Sequence, residues 1–149
     1  MRYRFKSSKM MNGIVIALVV FLAIFFIYTI IKQVQESHKQ NDPKLKEIVA
    51  RLTPAFPSMQ NLDFYEGEKS YTINKQKVYL CLKDENGAYY DDNVLIYVIL
   101  HEYSHSICKS IGHTVEFHEL FEDVLKKATD LGLFNPSVPI PHNYCNWNK

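Results

Sequence analysis

Between Lys9 and Lys32 the chain runs for 22 residues without a charge, from Met10 to Ile31, and no other feature constrains its architecture so tightly. A helix that crosses a bilayer needs about 20 predominantly apolar residues, because its backbone amides find no water inside and must pair within the segment. The run therefore predicts a transmembrane helix over 10–31, with a basic tail over 1–9 and a polar stalk over 32–44. The alternative is a cleaved secretory signal, whose apolar stretch is only about 7–15 residues and ends at a small-x-small site. Ile30-Ile31-Lys32-Gln33-Val34-Gln35 offers no such site. Arg2, Arg4, Lys6 and Lys9 precede the run with no acid among them, whereas Lys32 and Lys39 on the far side are mixed with Glu36 and Asp42. By the positive-inside rule the N-terminus stays cytoplasmic and the remainder lies on the outer or lumenal side. The charge pattern does not say which membrane, and a viral or organellar one fits it equally.

Residues 45–149 are enough for one compact domain with a single core. Within them His101-Glu102-Tyr103-Ser104-His105, followed by Gly112-His113, supplies three imidazoles and a carboxylate at the spacing of a catalytic zinc site. On a helix, His101 and His105 lie on one face about one turn apart and can share one ion. Glu102 projects about 100° around the helix and suits the general base that takes a proton from a metal-bound water. A catalytic zinc keeps three protein ligands and one open position. Gly112 stands where a left-handed residue would end the helix, so His113 can swing back as the third ligand. The apolar run Val94 to Leu100 predicts a helix buried on all sides, capped by Asp92 or Asn93. The plain alternative is a pair of core histidines in ordinary hydrogen bonds.

These segments, with Thr114-Val115-Glu116-Phe117 after His113, resemble the zincin-like metallopeptidases of the WLM and SprT-like, minigluzincin-type group. The resemblance covers roughly Tyr71 to Leu131. It implies an α+β domain in which a strand hairpin precedes the His-Glu-x-x-His helix, and in which the third histidine is followed closely by an aromatic residue. It also implies that an edge strand beside the active helix can bind an extended peptide by main-chain pairing. Ser104 stands where alanine is common, and no basic DNA-binding extension is evident.

Leu45, Ile48, Val49 and Leu52 predict a short amphipathic helix lying as a lid over the core and ended by Pro54 and Pro57. Tyr71 to Ile73, Val78 to Leu82 and Ala88 to Tyr90 read as antiparallel strands, with a turn at Asp84 to Gly87. Thr114 can cap a second helix whose apolar face is Phe117, Leu120, Phe121, Val124, Leu125, Ala128 and Leu131, ending at Gly132. Glu116, Glu119 and Glu122 are alternative third ligands or simply surface charges, and His118 is either an outer partner of the site or exposed. The Pro-rich tail from Asn135 to Cys145 must wrap the domain. Tyr144 or His142 could donate to an oxyanion if it crosses the cleft; otherwise both only pack. Cys81 and Cys145 bracket the domain and can form a disulfide on an oxidising side, leaving Cys108 as an inert thiol.

The expected activity is peptide hydrolysis by a membrane-anchored zinc enzyme, with the bilayer and a peptide or protein substrate as partners. One rival is a catalytically inactive, membrane-anchored protein that keeps zinc for structure or interaction; another is a cytosol-facing protease acting on DNA-bound proteins. Four of the 17 basic residues precede the span and all 16 acids follow it, leaving the domain near −3. That balance argues against nucleic acid, since affinity for a phosphate backbone comes from a basic surface.

Overall fold

The computed structural model describes residues 4–40, 42–142 and 144–145, with the side chains of all but 4–11 and 38. Arg2, Asn41 and Asn143, which enter the expectations above, lie outside the described residues. Contacts divide the chain into two units, Met1–His38 and Lys39–Lys149.

The first unit is dominated by helix α1, Arg4–Gln40. Its stretch Asn12–Ser37 is long and apolar enough to cross a membrane, and none of it is buried. The helix outruns the expected 10–31 span at both ends, so residues 4–9 and most of the supposed stalk are helical. The reason is local. Lys32 to Gln40 contains no Gly or Pro, and an existing helix extends through Lys, Gln and Glu without a new nucleation cost. Pro43 then excludes Asp42 from helical geometry. Asp42 sits at φ −57°, ψ 124° and caps the next helix by accepting from the Leu45 amide.

The second unit is α+β. Helix α2, Pro43–Leu52, is followed by a 3-10 turn over Pro57–Asn61 and by strands β1 (Asp63–Glu66), β2 (Tyr71–Ile73) and β3 (Lys77–Leu80). Helices α3 (Asp92–Ile107) and α4 (Val115–Asp130) complete the fold. The α2 residues Leu45, Ile48 and Leu52 are all but inaccessible, so α2 is a full member of the core and not a lid.

The sheet order is β1-β3-β2, with β2 antiparallel and β1 parallel to β3. One expected strand is absent and one strand is new. Ala88 to Tyr90 contributes only an isolated bridge between Lys83 and Tyr89, because the Asp84 carboxylate accepts from the Asn86 and Ala88 amides and closes a tight loop there. Strand β1 was not foreseen: Asp63-Phe64-Tyr65-Glu66 buries two consecutive residues and so lacks an alternating pattern. Its register is marked by the tyrosines opposite one another across all three strands. Tyr65 stacks on Tyr79 at 5.0 Å and Tyr79 on Tyr71 at 4.9 Å, the kind of cross-strand pair that stabilises a small sheet.

The β2–β3 turn places both Asn74 (φ 51°) and Lys75 (φ 56°) in the left-handed region, and the Gln76 amide donates to Ile73. Both central residues of a type I′ hairpin turn need this geometry. Asn tolerates it, whereas lysine bears a cost of about 1–2 kcal/mol.

Helix α3 runs through the centre, against β2, β3, α2 and α4. Val94, Leu95, Ile96, Val98, Ile99, Leu100 and Tyr103 are buried, and at about 1.5–3 kcal/mol for each large apolar side chain this fixes the helix firmly. Its cap is Asp91, one residue before the expected pair, with the carboxylate accepting from the Asn93 amide. Ser104 is fully buried and donates to the Leu100 carbonyl, so the hydroxyl needs no partner outside the helix. Helix α4 follows most of the sequence pattern: Thr114 caps it through the Phe117 amide, Phe117, Phe121, Val124 and Ala128 are buried, and Gly132 at φ 68° follows its end; Leu131, expected on the apolar face, is instead the exposed C-cap.

Candidate metal centre

His101 and His105 share a face of α3, as i and i+4 must. The third histidine arrives by a different route from the one expected. The helix ends at Ile107, with Cys108 extended at φ −66°, ψ 138°, five residues ahead of the anticipated stop at Gly112. Gly112 is left-handed at φ 83°, but it reverses a loop, not a helix. That loop carries His113 back over α3. The Nε2 atoms of the three rings then lie 3.0 Å (His101 to His113), 3.2 Å (His101 to His105) and 3.2 Å (His105 to His113) apart.

Hydrogen bonding cannot satisfy this triangle. A neutral imidazole nitrogen either carries a proton or offers a lone pair, never both, so among three mutual contacts at least one joins like with like. A cation at the centre would remove the conflict. Nitrogens around tetrahedral zinc at about 2.1 Å are about 3.4 Å apart, close to the spacing seen. Among the described residues these three histidines form the one group of His, Cys, Asp or Glu atoms gathered closely enough to hold an ion. Glu116, Glu119, Glu122 and His118 are exposed and outside it, with the His118 ring 6.2 Å from that of His113.

The rings rest on a rigid apolar floor. Phe117, completely buried, stacks on His105 at 4.1 Å and meets His101 and His113 edge-on at 5.0 Å each, while Phe121 meets His101 at 5.0 Å. Burial is the main reason His101 stays neutral down to about pH 4, with the neighbouring histidines adding to it; His105 is lowered by burial and by His113. Neutral imidazole is the form that binds metal.

A consequence follows for the metal-free protein. Unfolded imidazoles titrate near pH 6.5, so between there and about pH 4 the unfolded chain holds more protons than the folded one, and stability falls as pH falls. Glu102, whose pKa is raised, acts in the opposite sense. We expect the midpoint of thermal unfolding in chelator to drop from pH 7 to 4.5 more steeply in wild type than in His101→Asn. Equal slopes would contradict it.

Glu102 is buried at 6% exposure, and burial raises its carboxyl above the ordinary range, opposed by a bond from Thr72. The Thr72 hydroxyl lies 2.8 Å from Oε2 and 3.1 Å from the Glu102 carbonyl. No sequence signal pointed to Thr72, which sits on β2, 30 residues away. The site opens into a cleft of about 810 Å³, lined also by Ser70 to Thr72, Asn74, Lys75 and residues 110–113.

None of the described tail residues is among those lining that cleft. The Tyr144 hydroxyl donates to the Cys81 carbonyl and meets Ser70 at 3.0 Å; chiefly through burial its pKa is pushed up to about 12. Its proton goes to Cys81, while the hydroxyl sits on Ser70 of the cleft wall and feels the Glu102 charge. His142 is exposed and does not line the cleft. Cys81 and Cys145 form a disulfide, and Cys108 is a buried free thiol.

The chain is similar to three viral proteins. It is 43% identical over 90 residues to uncharacterized protein 136R of Invertebrate iridescent virus 6, covering 58% of this chain and 51% of that protein. Uncharacterized protein 042R of Invertebrate iridescent virus 3 is 40% identical over 87 residues, 58% of this chain and 55% of the relative. Uncharacterized protein R325 of Acanthamoeba polyphaga mimivirus is 36% identical over 107 residues, 62% and 54% respectively. The chain thus spans about half the length of the curated relatives it matches. No protein-family model and no solved structure matches it.

Proposed function

We propose that the chain is a membrane-anchored, zinc-dependent peptidase of the zincin-like kind. The observation that carries this reading is the convergence of three Nε2 atoms within 3.0–3.2 Å at an open cleft that Glu102 also lines. Zinc held by His101, His105 and His113 would supply an acidified water and an electrophile for the scissile carbonyl.

The remaining chemistry belongs to the chain. Glu102 accepts the proton of the attacking water and returns it to the leaving amine, and its raised pKa brings it closer to neutral pH, where a general base is most effective. The Thr72 bond to Oε2 fixes the carboxylate and leaves Oε1 for the proton. Three ligands without a fourth among the described residues support an open, catalytic site over a closed structural one. Helix α1 is the anchor in this reading. The Cys81–Cys145 disulfide favours an oxidising compartment for the domain, hence a cytoplasmic N-terminus.

The full chain, purified in detergent micelles, should carry about one zinc per molecule and cleave an unfolded protein such as casein. Chelation should abolish cleavage and added zinc restore it. Zinc without cleavage would turn the reading toward a structural site, and absence of zinc binding would sink it.

A further inference from the structure

Resting on the reading of the three histidines as a metal site, we infer that Lys75 is a positioning residue for it: its ammonium clamps the loop that carries His113 onto the β2–β3 turn. The first observation is what the loop lacks. His101 and His105 are set by a buried helix, whereas the loop between α3 and α4 is mostly exposed, with Ile111 at 89% and His113 itself exposed. Its own side-chain bonds, Ser110 to Thr114 at 2.6 Å and Cys108 to Ser110 at 3.1 Å, are internal and tie it to nothing outside α3 and α4.

Lys75 supplies the external tie. Its Nζ donates to the Cys108 carbonyl and, at 3.1 Å, to that of Lys109. These carbonyls lie just past the last turn of α3, where unpaired oxygens and the negative end of the helix dipole attract a cation. The bond joins two segments that line the same cleft, since Lys75 and residues 110–113 both line it.

The backbone under Lys75 is the second observation. It is left-handed at φ 56°, a position where an Asn-Gly pair would reverse the chain with less strain. A lysine there makes sense through what its side chain reaches. Because His113 is the one ligand delivered by the loop, the clamp sets how closely the third nitrogen approaches the other two. Groups that orient metal ligands in this way are typically worth about 10–100-fold in metal affinity.

The test is zinc affinity of the full chain in detergent micelles, measured by competition with a chromogenic chelator, for wild type, Lys75→Gly and Lys75→Arg. Glycine relieves the turn while removing the clamp. Lys75→Gly is therefore expected to bind zinc about 10–100-fold more weakly with an unchanged or higher unfolding midpoint in the metal-free state. Lys75→Arg, which keeps a cation of similar reach, should restore most of the affinity. Wild-type affinity in Lys75→Gly would overturn the inference and leave the metal reading intact. Loss of affinity accompanied by a lowered metal-free midpoint would reduce Lys75 to a general fold contact. Failure of wild type to bind zinc would remove both.

Discussion

Replacing Glu102 by glutamine is expected to lower peptide cleavage by about 10²–10⁴-fold while leaving zinc content at the wild-type level. The amide has nearly the shape of the carboxylate, so the Thr72 hydroxyl keeps an oxygen to donate to and the buried side chain keeps its volume. What it loses is the capacity to accept a proton. Glu102 lies outside the group of converging donor atoms, so the substitution leaves metal binding untouched. Zinc content and turnover measured on the same preparation separate the two roles: equal cleavage by both proteins would remove Glu102 as the base. A parallel loss of zinc would make it part of the metal site.

Removing the disulfide through Cys145→Ser should destabilise the domain by about 4 kcal/mol. The bridge closes a loop of 64 residues, and the loss of unfolded-chain entropy on closing such a loop gives that figure. A second tie would go with it, because the Tyr144 hydroxyl holds the same tail to the Cys81 carbonyl and to Ser70 at the cleft wall. Denaturant unfolding of the two proteins measures the difference, and a change under about 1 kcal/mol would contradict it. Thiol titration of the unfolded wild type without reductant should find one free cysteine, Cys108. Three would place the domain in a reducing compartment and overturn the orientation proposed above.

Much of this arrangement was legible residue by residue. The 22-residue uncharged run called for a long apolar helix, and α1 contains one. The apolar run from Val94 to Leu100 called for a fully buried helix, and Thr114 and Gly132 bracketed α4 as caps should. Misreadings fell where longer-range contacts decide. Asp63 to Glu66 has no periodicity to reveal a strand, and its parallel partner β3 lies beyond β2 in the chain. The end of α3 was placed too late: Cys108 is already extended, and its carbonyl accepts from Lys75, 33 residues away in sequence.

The sequence by itself determined that His101 and His105 face the same way, because a helix repeats every 3.6 residues and a buried helix cannot rotate without exposing its core. It likewise determined a candidate membrane span by length and composition, and the capped helix α4 by residues next to its ends. Only the tertiary structure decided that His113 closes the triangle, that Thr72 holds Glu102, and that the tail's Tyr144 hydroxyl reaches Cys81 and Ser70. Periods and caps act over a few neighbouring residues. Contacts across 30 or more residues form only when packing brings the elements together, and their identity is set by shape and hydrogen-bond matching that no local pattern encodes.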